Sequence, residues 1–147
     1  METSDKRRSE LVELVQFCYG DFFDKSVRSL DFLTDELTTD EFEIVSALLP
    51  SYNAFDGREV GRALMPYRGR IAHYKFGRAG SPVLQVSFPF WTHQREGTKP
   101  GTQGVRIPEA ETRSLMDEMI LMFKTTLHAD EADRIGGKQN SIYAWWD

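Results

Sequence analysis

R-I-A-H-Y-K-F-G-R-A-G-S-P-V-L-Q-V-S-F-P-F-W-T-H-Q-R-E-G-T-K-P-G-T-Q-G-V-R-I-P, residues Arg70 to Pro108, holds two strand-like runs joined by a glycine-rich turn and then a long polar loop. In its first seven residues Ala72, Tyr74 and Phe76 alternate with Ile71, His73 and Lys75, the two-residue period of a half-exposed strand. Gly77 to Pro82 forms a connection longer than two residues, with glycine available for positive φ. A second strand follows over Val83–Phe90, with Leu84, Val86, Phe88 and Phe90 on the apolar face and Gln85, Ser87 and Pro89 opposite. Pro89 cannot donate a ladder hydrogen bond, so it marks a strand end or an edge. Because a lone hairpin is marginal in water, the chain must supply more strands.

Working outward toward the C-terminus, Trp91–Ile107 is punctuated by Gly97, Pro100, Gly101 and Gly104. A connection of that length is often functional. Pro108 then suits the first position of a helix, with Glu109 and Glu111 at its positive end. Leu115, Met119, Met122, Phe123 and Leu127 trace one apolar stripe, widened by Met116, Ile120 and Leu121. His128–Gln139 reads as a polar turn region, and Ser141–Trp146 as a short strand able to extend the hairpin's sheet. Within that strand, alternation sends Trp145 and Trp146 to opposite faces.

Toward the N-terminus the pattern is helical. Leu11, Leu14, Val15, Cys18 and Phe22 recur at three- and four-residue steps from about Ser4, and a second helical piece is expected near Asp24–Leu33. Thr38 and Glu41 have capping-box spacing ahead of the stripe Phe42, Val45, Leu48 and Leu49, which Pro50 ends. Asp56 and Glu59 offer a second capping box, opening a helix through Val60, Leu64 and Met65 up to Pro66. The expected fold is α+β and a single domain over residues 1–147. Helices occupy about 4–66, and a small antiparallel sheet of hairpin plus C-terminal strand, a long loop and one long packing helix occupy about 70–147.

Composition narrows the function classes. A chain of 147 residues, 40% hydrophobic and 12% aromatic, is globular, and it has no apolar run near the roughly 18 residues that span a bilayer. The charged N-terminus lacks the apolar core of a secretion signal, so the expected location is cytoplasmic. One cysteine, Cys18, excludes an internal disulfide and a multi-cysteine zinc site. His73, His93 and His128 have no metal-ligand spacing, and the His128–Asp133 run lacks the ordered oxygens of a calcium loop. The glycine pairs lack the Gly-Lys-Ser/Thr and G-x-G-x-x-G patterns of phosphate loops. No cofactor and no metal are expected.

Charge supplies the functional lead. Residues 1–57 carry 5 Lys/Arg against 13 Asp/Glu, residues 58–106 carry 9 against 2, and residues 107–147 carry 4 against 8. A basic centre between acidic arms steers association more than the net charge of -5 does. The first expectation is a non-catalytic binding or regulatory protein of the adaptor, inhibitor or immunity type. It would engage another protein's acidic surface through Arg70, Lys75, Arg78, Trp91, His93, Arg95, Lys99 and Arg106. The order helix, helix, hairpin is also that of a winged helix-turn-helix, in which Arg58, Arg62 and Arg68 would face DNA. A third possibility is a small enzyme using His93, Arg95 and Glu96 on the long loop.

Overall fold

The structure, a computed structural model, describes residues 3–18, 31–49, 54–79, 81–89, 91–92, 106–107, 110–135 and 140–146. Helix α1 spans Asp5–Cys18, α2 Thr39–Leu48, α3 Gly57–Leu64 and α4 Ala110–Thr125. Strands are β1 Asp31–Phe32, β2 His73–Arg78, β3 Pro82–Ser87, β4 Trp91–Thr92, β5 Arg106–Ile107, β6 Glu131–Ile135 and β7 Ser141–Trp145. The chain is an α+β fold with the expected order: helices, hairpin, long packing helix, C-terminal strand.

The hairpin β2–β3 lies inside an antiparallel five-stranded sheet of order β1-β2-β3-β7-β6. One face is buried under α2 and α4, which contact β2 and β6–β7 respectively, while α1 and α3 pack on α2. Tyr74, Phe76, Leu84, Val86 and Phe88 all reach into this core, as their alternation requires. Phe42 of α2 joins helix to sheet by stacking on Tyr74 (centroids 4.1 Å apart) and on Phe76 (5.5 Å). At the other end Trp146 is fully buried between Phe55 and Phe123, edge-on to both, and its indole N–H donates to the Leu127 carbonyl at 2.8 Å.

Local signals set the helix ends. Thr38 Oγ1 accepts from the Glu41 N–H at 3.3 Å and Glu41 Oε1 accepts from the Thr38 N–H at 2.9 Å, the reciprocal capping box. Asp56 caps α3 through the Arg58 N–H at 2.9 Å rather than through a reciprocal pair with Glu59. Pro66 turns the chain after Leu64 into a 3-10 stretch, Met65–Arg70, as the proline stop implies. Pro89 lies beyond the end of β3, in keeping with a strand terminus.

Three segments differ from their periodicity. Residues 31–32, expected at the end of a helical piece, form edge strand β1 opposite Arg78 and Gly77. Glu131–Ile135, expected within a polar turn, is edge strand β6; an edge strand with one side in water tolerates the polar pattern E-A-D-R-I. On α4 the buried line is Thr112, Met116, Met119 and Phe123, so Met122 only flanks the core and Leu121 is 61% exposed. The loop that begins at Trp91 is closed at its base, where β4 pairs with β5 in the register Trp91↔Ile107 and Thr92↔Arg106. The helical piece over 24–30, the Cys18 side chain, the Pro108–Glu109 helix start and the Gly136-Gly137 turn lie outside the described residues.

Candidate ligand-binding face

Strand alternation gives the sheet a second face, turned away from the helices. Row by row it carries Phe32, Gly77, Val83, Trp145 and Glu131, then Lys75, Gln85, Tyr143 and Asp133, then His73, Ser87, Ser141 and Ile135. Along this face runs a groove of ≈ 430 Å³ lined by Phe32, Ala79, Val83, Gln85, Glu131, Ile135, Tyr143 and Trp145. Ligand pockets are commonly this size and this mixture of apolar walls with a few polar groups.

Each wall is fixed by a specific contact. The Trp145 indole N–H donates to the Ala79 carbonyl at 3.1 Å, which draws the ring across the end of β3, where Val83 is only 3% exposed. Tyr143 O–H donates diagonally across the strand pair to Glu131. That hydrogen bond, then burial, then the charges of Glu131 and Asp133 push the Tyr143 phenol up to about 12. The phenol therefore stays a neutral donor on a negative flank. On the opposite flank the Lys75 ammonium sits 5.0 Å from the centroid of Phe32, a cation–π contact. The outer face is therefore bipolar, with Lys75 on β2 and Glu131 and Asp133 on β6.

The residues expected to form a partner surface are distributed over the fold. Lys75 lies on the groove face, half-buried. Arg78, three positions on, falls to the other side of β2 at the hairpin end. Arg70 is exposed at the end of the 3-10 stretch, beside a cleft of ≈ 430 Å³ lined by Ala110, Glu111, Ser114, Leu115 and Glu118 of α4. Trp91 and Arg106 belong to the β4–β5 ladder; their side chains, and His93, Arg95, Glu96 and Lys99 altogether, lie outside the described residues. For the DNA surface, Arg58 and Arg62 are exposed one turn apart on α3. Arg68 is paired within the fold, 2.9 Å from Asp40 and 2.7 Å from Glu43 of α2.

Register brings His73 opposite Ser87, and Glu36 lies 3.7 Å from the His73 Nε2, so a serine, a histidine and a carboxylate share one corner. The Ser87 hydroxyl, however, is hydrogen-bonded to Ser141 at 2.7 Å with both side chains buried, which seats it in the β3–β7 seam. Among the described residues no three His, Cys, Asp or Glu side chains converge in a way that could hold a metal ion. Phe32 and Glu131 escaped sequence reasoning because both sit on short edge strands whose polar, two- to five-residue patterns carry no periodic signal. Tyr143 and Trp145 were within reach, since S-I-Y-A-W-W alternates.

No protein-family model, curated protein or solved structure matches the chain.

Proposed function

We propose that this chain is a non-catalytic binding or regulatory protein of the cytosol that engages an acidic surface of a macromolecular partner through the hairpin and the loop after it. The observation carrying this reading is the aromatic groove on the outer face of the hairpin's sheet, with Lys75 beside Phe32 of its lining. Aromatic and cationic side chains at a concave, partly desolvated face are the usual energetic anchors of a protein interface. The single cysteine and the absence, among the described residues, of a helix long and apolar enough to cross a membrane fit that setting.

The test is a fourfold charge reversal, Arg70→Glu, Lys75→Glu, Arg78→Glu and Arg95→Glu, compared with the native protein in quantitative affinity capture. Loss of the partners with unchanged circular dichroism supports the reading. Equal recovery of the same partners ends it.

DNA binding is the second reading, favoured by the exposed pair Arg58 and Arg62 on one side of α3. Against it, β2 and β3 are interior strands of a sheet rather than a free wing, and Arg68 is already neutralised by α2. Phosphate contacts by Arg58 and Arg62 predict duplex retardation at low salt that falls log-linearly as salt rises. An unretarded duplex at low ionic strength removes it.

A further inference from the structure

An antiparallel sheet with one solvated face normally alternates apolar-in with polar-out. Here the outer face instead holds Phe32, Ile135, Tyr143 and Trp145, all half-buried, around a groove floored by the buried Val83. Its charges are also ordered. Lys75 on β2 and Asp133 on β6 stand in one register row with Gln85 and Tyr143 between them, and Glu131 stands one row away. In the order β1-β2-β3-β7-β6, strands β2 and β6 lie at equal distances from a line drawn midway between β3 and β7.

That arrangement is self-complementary. A twofold axis in the plane of contact, parallel to the strands and over that midline, sets Lys75 of one copy above Asp133 of the other, twice. The same operation places Gln85 over Tyr143 and Val83 over Trp145, and puts Gly77, which has no side chain, beneath Glu131. Aligned sheets pack at about 30°, which slides these pairs by about 4 Å along the strands, within a lysine's reach of Asp133. A second copy satisfies both flanks.

We propose that the outer sheet face is a self-association surface on which a second copy of this chain docks face to face about this axis. The four strands that overlap under this operation, at about 4.8 Å each by five residues at about 3.3 Å, give a projected face of about 320 Å². A standard interface buries about 800 Å² per partner, so the dimer is weak and concentration-dependent. Asp133 has no part in the cationic surface proposed above, so its variants separate self-association from partner capture.

Sedimentation velocity on the full chain, from micromolar to several hundred micromolar, reads the outcome. The mass should rise from 16.9 kDa toward twice that value. Lys75→Glu and Asp133→Lys should each weaken association about tenfold or more, because like charges then face each other. The double variant K75E/D133K should restore it to within a few-fold of the native protein. A chain that stays monomeric throughout overturns the proposal. So does a dimer indifferent to both single substitutions, or a double variant as weak as the singles while still giving native circular dichroism.

Discussion

At the scale of single residues, adjacent tryptophans do different jobs because a strand turns successive side chains to opposite faces. Trp146 fills the core between Phe55 and Phe123 and satisfies the Leu127 carbonyl, whereas Trp145 walls the outer groove. Trp146→Ala should therefore cost about 3–5 kcal/mol of stability, through lost burial and the cavity left behind. Trp145→Ala should cost about 1–2 kcal/mol, mainly the Ala79 hydrogen bond and part of the ring's burial. Urea denaturation of the two variants checks the ranking; comparable losses would contradict the assignment of faces. Tyr143 gives a second test. Its phenol is held up at about 12 chiefly by the hydrogen bond to Glu131, so Glu131→Gln should bring its ionisation back toward the ordinary value near 10. Carbon NMR titration of the tyrosine ring reads this directly, and an unmoved midpoint would mean that the hydrogen bond is not what holds it.

At the scale of elements, the contact between α2 and α3 depends on two glycines one turn apart. A β-carbon at Gly57 would lie 2.3 Å from the Ser46 carbonyl oxygen, and one at Gly61 would lie 2.6 Å from the Ser46 hydroxyl. The first clash is with backbone and has no cheap escape; the second is with a small side chain. Gly57→Ala should destabilise by about 2–3 kcal/mol despite alanine's better helix propensity. Gly61→Ala should cost about 1 kcal/mol, and adding Ser46→Ala should return stability to the native level or above it. If thermal denaturation showed the two glycine variants equal, the close crossing would not be as drawn. Elements also show where sequence legibility stops. The Thr38–Glu41 box, the Pro66 stop and the β2–β3 alternation each depend on neighbours within a few residues, and all were readable. Strands β1 and β6 were not. A two-residue strand, or one reading E-A-D-R-I, exists because a partner strand offers hydrogen bonds, not because its own residues prefer extension.

For the whole molecule, the acidic–basic–acidic layout becomes partly internal pairing. Arg68 of the basic centre is held by Asp40 and Glu43 of α2, while within the acidic N-terminal arm Arg7 ties α1 to both Glu41 of α2 and Asp35, with Arg7 Nη2 to Asp35 Oδ1 at 3.0 Å. Burial by itself would raise the Glu41 carboxyl, but the hydrogen bond from Arg7, the Thr38 bonds and the Arg7 charge outweigh it and hold its pKa below the usual range. A depressed carboxylate contributes stability that is complete above its unfolded value of about 4.3 and is lost as pH falls through the lower folded value. Stability should thus decline from about pH 5 downward, and Glu41→Gln should flatten that decline while lowering stability near pH 7. Denaturant midpoints at pH 7, 5 and 3.5 for both proteins test it; parallel slopes would place the acid sensitivity elsewhere.

Periodicity and contacts within a turn or two of the chain suffice for the α+β class, the central hairpin with its core face, and the Thr38–Glu41 box. Alternation also places one tryptophan of the final pair inside and the other outside. The strand order, the edge strands β1 and β6, and the groove where Phe32, Ala79, Tyr143 and Trp145 meet arise from long-range pairing in the folded sheet. Those residues come from positions 32, 79, 143 and 145, and no local signal links them. What joins them is the lateral stacking of strands about 4.8 Å apart, a relation that exists only once the sheet has formed.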